Sequence, residues 1–209
     1  MGSYIGARPD GRGIWMKAAG LGLDEIKADD AVLVDEEGGV VYGNGRRHSE
    51  WPLHTEIMAA RHDAGAIVHT HPPHATALAA AGQPLRVVSN LSSLFVPPDV
   101  PRFDLTSALI QSRERGRQVV TVLGERDVLF LVNHGVVTVG TSVRDAVVRA
   151  VLLEKACRAQ LLTQAFGDSY TEVAREESLE KRATLLNRLD TVWEYLVRRL
   201  NATDPPVVL

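Results

Sequence analysis

Cysteine is almost absent from this chain. Cys157 is the only one among 209 residues, which excludes an internal disulfide and fits a reducing compartment. Its apolar helical neighbours favour a buried, inert thiol over a nucleophile. Long apolar runs are missing as well: no stretch of roughly 18 or more residues reads as a membrane span, and the N-terminus has no basic segment leading into an apolar one. A cytoplasmic protein without membrane contact is the expectation. Charge of one sign is not in excess either, with a formal net charge of -3, so nothing in the overall balance marks a nucleic-acid partner. Internal repeats and low-complexity segments are also lacking. What remains is an ordinary soluble composition, 45% hydrophobic and 23% charged, in a length suited to one substantial core and a single domain over residues 1–209.

Within that composition the segment Ala66–Pro73, AIVHTHPP, stands out. An apolar run enters His69 and His71, as in a buried strand with polar side chains at its mouth, and two prolines then end it. Residues i and i+2 of a strand share a face, so the two imidazoles leave the sheet side by side. Such a pair is either two hydrogen-bonded histidines or part of a metal site.

The flanking pattern mixes hairpins with helices. Pro9, Asp10 and Gly11 mark a turn between extended pieces, with Ile14–Met16 the second of them. Leu23–Asp30 reads as a short helical turn, and Ala31–Val34 and Val40–Tyr42 flank a Glu-Gly-Gly hairpin signal. A helix over His54–His62 starts near Pro52, and another over His74–Ala81 closes at Gly82. Leu85–Ser89 reads as a strand and the following proline-rich stretch as an extended connection. Thr106–Arg115 is expected to be helical with Asp104 or Thr106 as cap, followed by a second short helix over Gln118–Leu123. Val128–Val132 and Val136–Val139 are β-branched runs on either side of Asn133, His134 and Gly135. Ser142 caps a long helix that ends at Gly167, and a last helix spans about Thr171–Leu200. Its stripe of Leu185, Leu189, Val192, Leu196 and Leu200 reads as core or subunit contact. The class is α/β or α+β around a central mixed sheet.

Position sorts the seven histidines. His62 falls in a polar helix end and reads as solvated, while His54 and His74 read as helical packing residues. His134 differs because it ends a β-branched strand and precedes Gly135, which permits close backbone approach. A third imidazole at a strand end makes a facial set with His69 and His71, and three protein ligands with open positions characterise a catalytic metal. Proton transfer then needs an acid. Glu50, at the junction of loop and helix, is favoured over Glu56, which lies within the helix.

These residues carry a resemblance. HSEW, then 19 residues from Glu50 to His69, then HTHPPHATA and an NHG about sixty residues later, together resemble the class II aldolase/adducin family, including its fuculose-phosphate aldolase and decarboxylase branches. The resemblance implies three layers, with a central, mostly antiparallel sheet between helices. It also implies a homotetramer with active sites at subunit interfaces and a small-molecule substrate. By motif position His69, His71 and His134 become metal ligands and Glu50 the catalytic acid/base. The implied metal is zinc, with manganese, cobalt or iron used in some branches. The implied chemistry is that of a metal-dependent lyase, an aldolase or a decarboxylase, in which Lewis-acid stabilisation of an enediolate accompanies carbon-carbon cleavage.

Departures from the family set the substrate expectation. Where sugar-phosphate members place hydroxyl-rich phosphate loops, this chain has Gly2-Ser3, Lys17-Ala18-Ala19-Gly20 and His48-Ser49. Lys17, Gly20, His48 and Ser49 are therefore the candidate substrate-binding residues, and Lys17, Arg46, Arg47 and a cationic His48 favour a carboxylated, unphosphorylated hydroxy or oxo acid. The family tyrosine has no counterpart near Ser89–Leu91, and the family's N-terminal helix is expected to be missing because the first glycine loop falls at Gly2, so that either the start is displaced or the subunit covers its sheet differently. The alternatives are a sugar-phosphate aldolase or epimerase, a non-haem iron oxygenase on the same fold, and a non-catalytic adducin-like scaffold.

Overall fold

The computed structural model describes residues 4–7, 13–167 and 169–203. Among the described residues eight strands form one sheet in the order β4-β3-β2-β1-β5-β8-β7-β6. They are β1 (Tyr4–Ala7), β2 (Ile14–Lys17), β3 (Ala31–Val34), β4 (Val40–Tyr42), β5 (Ala66–Thr70), β6 (Arg102–Phe103), β7 (Val128–Leu131) and β8 (Gly135–Gly140). Every pairing is antiparallel except the short parallel one between β6 and β7. Six α-helices lie among the described residues: α1 (Trp51–Ala60), α2 (Pro73–Ala80), α3 (Arg113–Leu123), α4 (Val143–Ala165), α5 (Arg175–Leu186) and α6 (Leu189–Thr203).

The alternation of side chains along the central strands builds three layers. Ile67 of β5, Leu129 and Leu131 of β7, and Val137 and Val139 of β8 face a core shared with Leu53 and Ile57 of α1 and Val119 of α3. Val128, Phe130 and Val136 face the other way, onto Leu78 of α2 and Leu152 and Leu153 of α4. Because helices cover both faces, β7 and β8 are buried throughout and read as continuous apolar runs. The expected mostly antiparallel sheet between helices is thus the observed architecture.

His69 follows Ile67 on the face of α1 and α3, the same layer that receives Glu50 and His54. His54 is buried at 0% exposure, and a Cβ at Gly6 of β1 would lie 2.8 Å from its Nδ1, so strand and ring are in close contact. Burial pushes the His54 pKa down to about 3 from an ordinary 6.5. The unfolded chain therefore takes up this proton first, and the associated stability is fully present above about pH 6.5 and lost as pH falls toward 3. The expected outcome is an acid limb in urea stability between pH 6.5 and 4, flattened in His54→Gln by up to about 1.4 kcal/mol per pH unit.

Five expected elements differ. Leu85–Ser89 is not a strand: Arg86 N–H donates to Gln160 Oε1 (2.6 Å), Gln160 Nε2 to Pro84 O (3.0 Å) and Val173 N–H to Val87 O (2.9 Å). A helix side chain and a loop thus supply the partners a ladder would have used. The helix expected over Thr106–Arg115 begins only at Arg113, where Ser112 accepts from Arg115 N–H, and it absorbs the separate helix expected at Gln118–Leu123. Upstream, Thr106 Oγ1 accepts from Ala108 N–H, a local turn that competes with helix. The helical turn over Leu23–Asp30 is reduced to a 3-10 turn at Ala28–Asp30. The final helix is broken at Asn187 and Arg188 into α5 and α6, and Leu200 is exposed while Leu185, Leu189, Val192 and Leu196 pack on the α4 side. The Pro9–Gly11 turn lies outside the described residues, although β1 and β2 beside it pair antiparallel.

Candidate metal centre

Antiparallel register places the histidines together. Thr70 of β5 pairs with Val136 of β8, so the chain leaving β5 at His71 and the chain entering β8 from His134 meet at one end of the sheet. Asn133 turns the β7–β8 connection at φ +56, a left-handed conformation that asparagine tolerates. Gly135 is needed there because a Cβ would lie 2.5 Å from both Thr70 O and His71 Cδ2. The neighbouring backbone is held in the sheet and cannot yield. Gly135→Ala is expected to cost about 1–3 kcal/mol in urea unfolding and to weaken metal binding by displacing His71.

Glu50 precedes α1 and completes the cluster. One ligand atom from each of Glu50, His69, His71 and His134 lies within 4.8 Å of the others. His69 Nε2 is 3.2 Å from His71 Nε2 and 3.5 Å from Glu50 Oε2, while His134 Nε2 is 3.5 Å from Glu50 Oε1. Glu50 and His69 are buried and His134 nearly so, whereas His71 stands at the exposed side.

The tautomers follow from the partners. His69 Nδ1 lies 2.9 Å from the Val136 carbonyl, so it carries the proton and donates it, which leaves a lone pair on Nε2 of the neutral ring. That lone pair points at another imidazole nitrogen and at a carboxylate oxygen. His134 Nε2 is buried and makes no hydrogen bond. Acceptors facing acceptors in a buried site require a proton or a cation among them, and this donor set of three imidazoles and a carboxylate fits a divalent cation. Burial alone would raise the Glu50 pKa. Protons on the facing His134 and His69 nitrogens, in the absence of a cation, and the Ile110 N–H (2.8 Å to Oε1) outweigh burial and hold the carboxyl well below its usual range. Burial, with the neighbouring imidazoles, pushes His71 down to about 4.

The remaining candidates are placed differently. Lys17 ends β2 with its side chain buried and Nζ donating to Leu21 O (2.6 Å) and Ala18 O (3.2 Å). Gly20 takes φ +93 in the following loop. His48 Nδ1 accepts from Glu50 N–H (3.3 Å), and Ser49 sits half-buried between them. The expected positive charge at His48 is corrected: burial holds its pKa down to about 4, so the ring is neutral near pH 7. Arg47 is spent structurally, donating to the Gly38 carbonyl and lying over the Trp51 ring, and Arg46 is exposed. Gly2 and Ser3 lie outside the described residues. Glu56 pairs with Arg113 at 2.6 Å, away from the cluster's donor atoms.

Three supports have no sequence signal of their own: Ile110 N–H on Glu50, Val136 O on His69, and Glu154. The last reaches from α4 to the start of α2, where Pro72 has no side-chain cap to offer. Its Oε2 accepts from Ala75 N–H (2.9 Å), and its Oε1 accepts from His74 N–H (3.2 Å) and lies 2.5 Å from His74 Nδ1. Glu154→Ala is expected to cost about 1–2 kcal/mol by urea unfolding, the size of a lost helix cap, with Glu154→Gln costing less.

Fold and site together define a three-layer α/β protein with a buried Glu/His cluster suited to a divalent cation. The chain belongs to the family described as Class II Aldolase and Adducin N-terminal domain, whose model matches residues 1–161. It is 30% identical over 145 residues to the 5-methylthioribulose-1-phosphate/5-deoxyribulose-1-phosphate aldolase of Rhodospirillum rubrum, a match covering 69% of this chain and 64% of that protein. It is 28% identical over 197 residues to the 3,4-dihydroxyphthalate decarboxylase of Arthrobacter keyseri, covering 87% of this chain and 77% of that one. An aldolase II superfamily protein from Pseudomonas syringae superposes with a TM-score of 0.84 at 28% identity, covering 96% of this chain and 84% of that chain. No helix among the described residues is long and apolar enough to cross a membrane.

Proposed function

We propose that this chain is a divalent-metal-dependent carbon-carbon lyase in which His69, His71 and His134 hold the metal and Glu50 moves the proton. The observation that carries this reading is the convergence of four ligand atoms within 4.8 Å, with the His69 lone pair aimed inward by its bond to Val136 O. A divalent cation bound there supplies Lewis acidity to substrate oxygens, which lowers the barrier to breaking a carbon-carbon bond beside them. Zinc is the proposed ion, as it suits imidazole donors in a site with open positions.

The protein's own groups have distinct tasks. Ile110 N–H engages Oε1 of Glu50, so Oε2 is the atom that takes and returns the proton. His48 accepts from Glu50 N–H through Nδ1, which places the proton of the neutral ring on Nε2 beside the cluster. Burial of Glu50 and His69 excludes water from the inner side of the site, and the exposed His71 marks the side from which substrate enters.

The proposed substrate is a small carboxylated, unphosphorylated hydroxy or oxo acid. Support comes from the Lys17–Gly20 loop, whose alanines offer no phosphate-binding hydroxyl, and from the decarboxylase among the relatives. The proposed assembly is a homotetramer with sites at subunit interfaces, supported by the exposure of Val40, Val41 and Tyr42 along β4. Residues 1–209 are proposed to act as one domain around the single sheet, in the cytoplasm.

The test is a screen of the metal-loaded protein against hydroxyaromatic acids, hydroxy-oxo acids and sugar phosphates, reading carbon dioxide and aldehyde release. Turnover confined to carboxylated, unphosphorylated compounds supports the reading. Turnover confined to sugar phosphates contradicts the substrate class, and oxygen consumption with bound iron contradicts the lyase.

A further inference from the structure

The geometry points to a second binding site, for a compact oxyanion of the size and charge of inorganic phosphate, at the end of the sheet opposite the histidines. A recess of about 240 Å³ opens there beside Val128, the first residue of β7, and is lined by Arg126, Arg149 and Arg182 with Glu125 and Asp127. The histidine cluster lies beyond the other end of the same strand, so the recess is separate from the proposed lyase site.

The acids do not satisfy the arginines. Asp127 is fully engaged, its Oδ2 lying 3.1 Å from Arg149 Nη2 and its Oδ1 3.3 Å from Arg61 Nη2. Glu125 is exposed at the rim. Arg126 has only neutral partners, Nη2 donating to Pro98 O (2.8 Å), Asp99 O (3.3 Å) and Phe95 O (3.5 Å). Arg182 Nε donates to Ser93 O (3.1 Å), and its buried Nη2 donates to nothing.

Two guanidinium groups with no paired carboxylate among the described residues thus line one small recess. Burial, and then the charge of Arg126, depress the Arg182 pKa, and the charge of Asp127 offsets only part of this, so a further anion beside Arg182 would stabilise its charged form. Guanidinium forks match the oxygens of phosphate and carboxylate, and leaving a buried donor unmade is costly. The volume suits a small ion and lies below the usual range of sites for larger organic ligands, about 300 Å³ and above.

Isothermal titration of the metal-loaded protein with inorganic phosphate and with sulfate, at constant ionic strength, tests the site. Saturable binding is expected in the metal-loaded wild type and in folded His134→Ala titrated without metal. A tenfold or greater loss of affinity is expected in Arg182→Gln and in Arg126→Gln, with metal content unchanged in both. Arg182→Lys, which keeps the charge and shape nearest the original, is expected to retain part of the binding. Absence of saturable binding in the wild type overturns the proposal. So does binding that survives both glutamine substitutions, or binding lost in His134→Ala, which would place the anion at the histidine cluster.

Discussion

Replacing His69 with alanine is expected to reduce metal content to background and turnover by about a thousandfold or more, because loss of Lewis-acid assistance removes several kcal/mol of barrier lowering. The side chain is fully buried and engaged through both ring nitrogens: Nδ1 donates to Val136 O, and Nε2 faces His71 and Glu50. Alanine leaves the Val136 carbonyl unmade on that side and opens a cavity, so about 1–3 kcal/mol of stability should be lost as well. His134→Ala separates the two effects. Its Nε2 lies 3.5 Å from Glu50 Oε1 and has no partner as close as the Val136 carbonyl is to His69, so metal and turnover should fall to the same degree with a smaller change in urea stability. Metal content and turnover that survive in both variants would refute the assigned ligands.

Glu50→Gln is expected to keep the metal and lose turnover by about a hundred- to ten-thousandfold, the usual contribution of a positioned acid or base. The amide is isosteric, and its oxygen can still accept the Ile110 N–H that Oε1 accepts now. What it cannot do is carry a proton in and out of the site. Metal content measured beside turnover distinguishes this role from that of a required ligand: loss of metal in Glu50→Gln would make the carboxylate a ligand first. Normal turnover would remove Glu50 from the mechanism.

Residues whose neighbours are set by strand alternation were legible in the sequence. His69 and His71 could be read as a same-face pair from AIVHTHPP, and the β7–β8 hairpin brought His134 to them through a turn that Asn133 and Gly135 announce. Ser142 was legible as a cap because the motif is local, and its side chain accepts from Asp145 N–H. Leu85–Ser89 has the pattern of a strand because Leu85 and Val87 are buried, while its backbone partners are a glutamine on α4 and Val173, both distant in sequence. Thr106–Arg115 differs because Thr106 Oγ1 closes a local turn with Ala108 N–H, and the helix is capped instead by Ser112.

The site shows the same division. Residue types and spacing pointed to the imidazoles and Glu50, whereas the groups that aim them, Ile110 N–H and Val136 O, are backbone atoms that any residue would provide. The charge at His48 was out of reach for a different reason. Protonation depends on burial, which no single residue type reveals, and burial here keeps the ring neutral.

The most direct test of the central claim is the anomalous scattering of zinc in crystals of the metal-loaded protein. The account predicts one strong peak about 2.1 Å from the ligating nitrogens of His69, His71 and His134. A peak elsewhere, such as beside His74 and Glu154, with none at the cluster, would contradict it.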